Sequence, residues 1–241
     1  MLNAENIKSY LSDKYKDLPI TVFDTTDSTN TQAKLSSIKQ GIFISKHQSA
    51  GRGRHGKSFY SPKDTGLYMS IVLNISPFEA YEFSLTAAAA VAVAQAIEKV
   101  SGIYTEIKWV NDLYLNGRKV AGILTEADTD RVIVGIGINI TTCSFPADIP
   151  NAASLTTQEL SKAKLTANIA ENLLDIVISK SRDFMEEYRN RSMLLGKEIC
   201  FEKDGKPFMA KALRIENDGA LTVLMGTDEL TLRSGEVHIV L

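Results

Sequence analysis

The sequence predicts an α+β fold: a mixed β-sheet packed with helices, followed by a small β-barrel at the C-terminal end. Three observations predict it. The run "EFSLTAAAAVAVAQAIEKVSG" reads as a long helix with apolar residues around most of its circumference, and such a helix needs burial against a sheet. Strand-like runs stand on both sides of it in the chain. From Gly196 onward the texture changes to short strands punctuated by Asp204-Gly205 and Asp218-Gly219.

In chain order, an opening helix is expected over residues 5–14, then a short strand, "PITVF", and the polar run "DTTDSTN". "TQAKLSSIKQ" reads as a short helix ended by Gly41. "IFISKHQ" and "GLYMSIVLNI" are strands on either side of a glycine-rich loop. Beyond the Ala-rich helix come "YTEIKWV", "DLYL" and "RKVAGILTEA". The last two are joined by Asn116-Gly117, the strongest short hairpin signal. "RVIVGIGINI" continues the sheet, and helices fill residues 164–191. The expected division is one domain over 1–192 and a smaller one over 193–241.

Composition narrows the function classes. The 241 residues are 44% hydrophobic and 23% charged, as in a globular protein with a substantial core. A net charge of -2 argues against a dedicated nucleic-acid binder, so a local basic patch is read as serving a small anion. Cys143 and Cys200 are too few for a disulfide scaffold and are expected to be buried free thiols. The N-terminal run lacks the apolar core of a signal peptide, and the Ala-rich run is too short to span a bilayer. A cytoplasmic location with no membrane contact is expected.

The stretch "SAGRGRHGKSFYSP" holds a G-x-G-x-x-G at Gly51, Gly53 and Gly56. A dinucleotide fingerprint requires its glycines to open a helix. Here Ser61-Pro62 and Gly66 break any such helix, so that reading is rejected. What remains is a loop bearing Arg52, Arg54, His55 and Lys57, whose forked and pointed cationic donors suit phosphate or carboxylate oxygens. A second block, "KWVNDLYLNGRKVAGIL", places Arg118 and Lys119 in an otherwise apolar strand. Alternation puts Lys119 with Ala121 and Ile123, and Arg118 with Val120 and Leu124. Both faces are apolar, so the period of two leaves open which cation points inward.

Together these blocks resemble the biotin–protein ligases, whose signatures are a GRGR-type loop and a KWPNDL…KxxGI block. The resemblance runs from about residue 23 to 139, and the tail resembles that family's SH3-like domain. It implies a class II synthetase-like ligase domain that takes biotin and ATP with Mg²⁺. The product, biotinyl-5′-adenylate, then modifies a lysine of a biotin carboxyl carrier domain. Val110 departs from the family's proline, which loses a fixed φ but no reacting group.

Carried over by motif, the catalytic residues are Lys119, Arg54 and Asp112. The biotin-binding set is Ser28, Thr29, Asn30, Gln48, Gly51, Arg52, Gly53, Arg54, Lys119, Gly122 and Gly137. Nucleotide contacts fall to Arg52, Arg54, Asn111, Lys119 and Asn139, and Mg²⁺ arrives with ATP near Asp112. Several residues keep a second reading. Asn111 and Asp112 suit a turn cap, and Thr29 with Gln32 fits a capping box. Gly122, Gly135 and Gly137 form either a floor beneath a flat ring or a close seat for the Ala-rich helix. Phe59 faces either ligand or core.

Some members of the family carry an N-terminal helix-turn-helix; here a strand near residue 20 leaves no room ahead of it, so DNA binding is not expected. Exposed sheet edges allow a homodimer. The competing functions are a lipoate or octanoate ligase, a non-catalytic biotin-binding sensor and a nucleic-acid-binding module.

Overall fold

The computed structural model describes residues 2–82, 84–203, 205–233, 235 and 237–240. Seven strands form the first sheet: β1 (Ile20–Phe23), β2 (Gly41–Ser45), β3 (Gly66–Leu73), β4 (Glu106–Lys108), β5 (Asp112–Leu115), β6 (Arg118–Asp128) and β7 (Arg131–Asn139). Their order is β1-β2-β3-β7-β6-β5-β4, parallel between β1 and β2 and antiparallel elsewhere. The Asn116-Gly117 turn joins β5 to β6 with both residues at positive φ, 51° and 73°, as a two-residue hairpin of the primed type requires.

Helix α4 (Leu85–Ser101) is the predicted Ala-rich helix, and α5 (Lys162–Ser179) packs beside it. Eleven residues of α4 are buried, mostly alanines and valines, because small side chains let a helix sit close on a sheet. α6 (Phe184–Asn190) follows α5, so helices fill the region expected for them. The tail is a five-stranded antiparallel sheet of β8 (Glu198–Lys203), β9 (Lys206–Ile215), β10 (Leu221–Met225), β11 (Asp228–Leu232) and β12 (Val237–Ile239), in the order β11-β10-β9-β8-β12. Asp204 of the expected Asp204-Gly205 turn lies outside the described residues. The main apolar cluster runs from Ile7 through the strands and helices to Ile199, Leu221 and Val237.

Four expectations need correction. The opening helix is only α1 (Ala4–Lys8), followed by a 3-10 turn over Asp13–Tyr15; Ser9 ends it by turning its hydroxyl back to the Asn6 carbonyl at 2.8 Å. α2 (Thr29–Leu35) stops at Ser36, and Gly41 begins β2 instead of capping the helix. A Cβ at Gly41 would lie 2.9 Å from the Pro19 carbonyl oxygen, so glycine answers a close backbone approach. The short helix α3 (Pro77–Glu82) was not foreseen. Cys143 is exposed in the loop after β7, and Cys200 is half-buried in β8.

Arg131 fastens α2 to the β6–β7 hairpin. It is 6% exposed, pairs with Asp128 at 2.8 Å and donates to the carbonyls of Lys34, Ser36 and Ile38. The Lys34 carbonyl is one that the end of α2 leaves without a helical partner, and Ser36 and Ile38 follow it in the chain beyond the helix. Arg131→Ala is expected to lower stability by about 3 kcal/mol in urea unfolding, because buried acceptors lose their donor. A loss under about 1 kcal/mol would show that water replaces the guanidinium at no cost.

Candidate active site

The glycine-rich loop folds back as a tight hairpin, with Phe59 N–H bonded to the Gly51 carbonyl at 2.9 Å and Gly53 N–H to that of Lys57 at 2.7 Å. At Gly51 a Cβ would meet the Phe59 carbonyl oxygen at 2.4 Å, which excludes any larger residue. This fold-back carries Arg52 and Arg54 over the sheet. Arg54 Nη1 donates to Asn111 Oδ1 at 2.9 Å, and so ties the loop to the "KWVND" turn. Asn111 Nδ2 donates to the Ile123 carbonyl at 2.9 Å and to Asp112 Oδ1 at 3.2 Å. Lys119 Nζ pairs with the same Asp112 oxygen at 2.7 Å.

A bulge decides which cation of β6 points inward. Leu113 pairs with Ala121 but Tyr114 pairs with Lys119, so Val120 is the extra residue. The bulge shifts the alternation by one and sets Lys119 beside Gly122, where a Cβ would meet Lys119 Nζ at 3.3 Å. Arg118 points outward and donates to the Pro150 carbonyl at 3.1 Å. The backbone of Lys119 is held on both sides, its N–H by Asn151 O and its carbonyl by Ala153 N–H, each at 2.8 Å.

The "KWVND" turn is anchored from behind. Trp109 Nε1 donates to the Gly219 carbonyl at 2.8 Å, and the Tyr188 hydroxyl to the Val110 carbonyl at 3.0 Å. Burial pushes the Tyr188 phenol well above its usual range, so it stays a neutral donor. The Trp109–Val110 peptide is cis.

At the other end, Ser28 is the N-cap of α2 and puts Thr29 and Asn30 in its first turn. The capping box does not form. Gln32 Nε2 donates to Asp27 Oδ1 at 2.9 Å, while Thr29 N–H donates to Gln48 Oε1 at 2.8 Å. Gln48 Nε2 in turn donates to Ser61 Oγ at 3.0 Å. Ser70 Oγ lies 2.6 Å from Asn30 Oδ1 and 2.7 Å from Thr29 Oγ1. Glu126 accepts from Asn30 Nδ2 at 2.8 Å and pairs with Lys34 at 2.7 Å and Arg52 at 3.2 Å.

Most of the expected site residues line one cleft of about 560 Å³, with Glu126 and Ser70 standing behind them. It gathers Ser28, Thr29, Asn30, Gln48, Arg52, Gly53 and Arg54 from the first half of the motif set, and Asn111, Asp112, Lys119, Gly122 and Gly137 from the second. Two expected residues lie elsewhere. Gly51 faces a neighbouring cavity of about 580 Å³, and Asn139 is buried at the end of β7 with its Oδ1 lacking a partner among the described residues.

Residues 22–141 match the biotin/lipoate A/B protein ligase family. A bifunctional ligase/repressor BirA of Bacillus subtilis is 32% identical over 224 residues, covering 86% of this chain and 68% of the relative. The chain belongs to the biotin/lipoate A/B protein ligase family. A biotin–[acetyl-CoA-carboxylase] ligase of Mycobacterium tuberculosis is 29% identical over 237 residues, covering 90% of this chain and 88% of that one. The Aquifex aeolicus biotin protein ligase, solved in complex with biotin and ATP, superposes with a TM-score of 0.82 at 26% identity, covering 91% of this chain and 97% of that one.

Within this ligase Gly122, Gly135 and Gly137 line the cleft, as the floor reading expects, and side chains of the site itself lie close over them. A Cβ at Gly137 would lie 2.5 Å from the Phe59 ring, and one at Gly135 would lie 2.4 Å from Asn30 Oδ1. Phe59 thus lies over the glycine floor and belongs to the site. Sequence reasoning missed Glu126, although Gly122, Leu124 and Glu126 alternate along β6 and the period of two marks them as sharing a face. It also missed Ser70, whose signal is a hydroxyl inside an apolar strand, and Val237 and His238, which reach the cleft from β12.

Proposed function

We propose that this ligase joins biotin to ATP as biotinyl-5′-adenylate, and then passes the biotinyl group to a lysine amine of a biotin carboxyl carrier domain. The observation that carries the reading is the meeting of Arg54, Asn111, Asp112 and Lys119 at one end of a cleft whose other end is the Thr29–Asn30–Gln48 set. The Mycobacterium tuberculosis relative, named for acetyl-CoA carboxylase, and the biotin and ATP of the Aquifex complex support it.

In the first step a biotin carboxylate oxygen forms a bond to the α-phosphorus, and the bond to the bridging oxygen breaks, with its electrons leaving on pyrophosphate. The nucleophile belongs to the substrate, so the protein's work is to hold two anions together and stabilise the charge that develops. Lys119 and Arg54 do that work, with Arg52 beside them. Two unit charges about 4 Å apart are worth roughly 4 kcal/mol at an effective dielectric near 20, enough to offset the repulsion of bringing two anions together. In the second step the carrier lysine's nitrogen attacks the mixed-anhydride carbonyl. AMP leaves with its oxygen, and a proton is lost from the amine.

Asp112 is the carboxylate that fits an Mg²⁺ carried largely by phosphate oxygens, the usual way this hard cation is held; the ion would offset charge on the phosphates. The same proposal includes the division of the chain at residue 192, a cytoplasmic location and a homodimer through an exposed sheet edge such as β1.

Pyrophosphate–ATP exchange tests the reading with biotin, lipoate, octanoate or no acid. Exchange is expected with biotin alone. Exchange with lipoate alone would transfer the chain to the lipoate branch of its family.

A further inference from the structure

We propose that Glu126 is a positioning residue that holds the Asn30 amide with its oxygen towards the ligand, and so makes this end of the cleft accept hydrogen bonds rather than donate them. The inference rests on the biotin reading and adds to it the residue that sets the polarity of the ring site.

The Glu126 side chain is 15% exposed. An ionised carboxylate only accepts, so the end of the Asn30 amide that faces Glu126 Oε2 at 2.8 Å has to be the NH₂. Burial pushes the Glu126 carboxyl up, but hydrogen bonds from Lys34 and Asn30 and the charges of Lys34 and Arg52 outweigh it, and the net shift is downward. The group is therefore anionic at neutral pH.

The opposite end of the amide is then Oδ1, 2.6 Å from Ser70 Oγ. A hydroxyl has one proton. Asn30 Oδ1 has none to give, so the Ser70 proton lies between Asn30 Oδ1 and Thr29 Oγ1, and the Thr29 hydroxyl donates to Gln48 Oε1 at 3.2 Å. Donors thus run from Ser70 to Asn30 to Glu126, in a direction fixed by the carboxylate at the end. The amide packs directly on the strand backbone, since a Cβ at Gly135 would lie 2.4 Å from Asn30 Oδ1, so its orientation is set by the hydrogen bonds at its two ends.

Two acceptors remain for a ligand: Thr29 Oγ1 and the second lone pair of Asn30 Oδ1. A ring that presents N–H groups matches them. The Thr29 hydroxyl proton is committed inside the protein to Gln48 Oε1, which leaves Ser28 as the hydroxyl to donate to a ring carbonyl.

The test is biotin binding by calorimetry to the wild-type chain, Glu126→Gln, Asn30→Ala and the double variant, with thermal unfolding alongside. The side-chain amide that Glu126→Gln introduces both donates and accepts, which releases the Asn30 amide to flip. Glu126→Gln is expected to weaken biotin about 10- to 100-fold, the loss of one charge-assisted hydrogen bond. The double variant should bind biotin no more weakly than Asn30→Ala, because Glu126 acts through Asn30.

Additive losses, or a Glu126→Gln chain with wild-type affinity, would overturn the inference and leave the biotin reading intact. A wild-type chain that binds no biotin would overturn both. If Glu126→Gln does not fold, the crystal structure of the wild-type biotin complex decides. Asn30 within hydrogen-bonding distance of a ring nitrogen supports the inference, and Asn30 bonded to the ring carbonyl overturns it.

Discussion

Lys119→Ala is expected to abolish biotin-dependent pyrophosphate–ATP exchange, a fall of at least about 10³-fold, while the chain stays folded. The size follows from losing a cation aimed at developing phosphoryl charge, which for a single preorganised donor is worth about 10²–10³ in rate, and more when the donor carries full charge. Folding should survive for structural reasons. The backbone of residue 119 is held by Asn151 and Ala153 through bonds that alanine keeps. The lost ion pair to Asp112 is partly solvated and costs about 1 kcal/mol or less. Arg118→Ala is the matched control: this arginine points away from the cleft and should leave exchange within about 2-fold of wild type. Near-normal exchange by Lys119→Ala, or a comparable loss in Arg118→Ala, would remove Lys119 from its role.

The second large effect is expected at Gly135. A methyl group there would lie 2.4 Å from Asn30 Oδ1 and 2.9 Å from both Cγ and Nδ2. Asn30 has nowhere to yield, because Glu126 and Ser70 hold its two ends. Gly135→Ala should therefore cost about 1–3 kcal/mol of stability, as overpacking does, and weaken biotin about 100-fold by expelling the amide. Gly137→Ala makes the contrast. Its methyl would meet the edge of the Phe59 ring at 2.5 Å, but that ring borders a second cavity of about 580 Å³ into which it can move. A milder loss of affinity is expected there. Calorimetry and thermal unfolding on both variants check the order, and equal behaviour would mean that Asn30 is no more constrained than Phe59.

Much of this site was legible because its signals are local. Asn116-Gly117 closes a hairpin through positive φ at two adjacent residues, a property of those residues alone. The Ala-rich helix declares its burial through its own circumference. The cationic glycine loop and the "KWVND" block carry their residue types wherever the chain places them, and the fold brings them together through Arg54 and Asn111. The capping-box reading failed through competition for the same side chains. Gln32 was read as a cap partner of Thr29 but is taken by Asp27, and Thr29 N–H goes to Gln48, nineteen residues away.

By itself the sequence determined the kinds of element, the order of most of them, and the chemistry of the two blocks that meet in the cleft. The motif resemblance had already named Lys119 over Arg118, where the period of two left both open; the tertiary structure supplied the reason, and it alone decided that Phe59 lies over the strand glycines and that Glu126 holds the Asn30 amide. The physical reason is register. A period of two assigns faces only until a bulge adds a residue, and the bulge at Val120 exists through the pairing of two strands. A glycine likewise states that something comes close, while the identity of that neighbour belongs to whatever the fold sets against it.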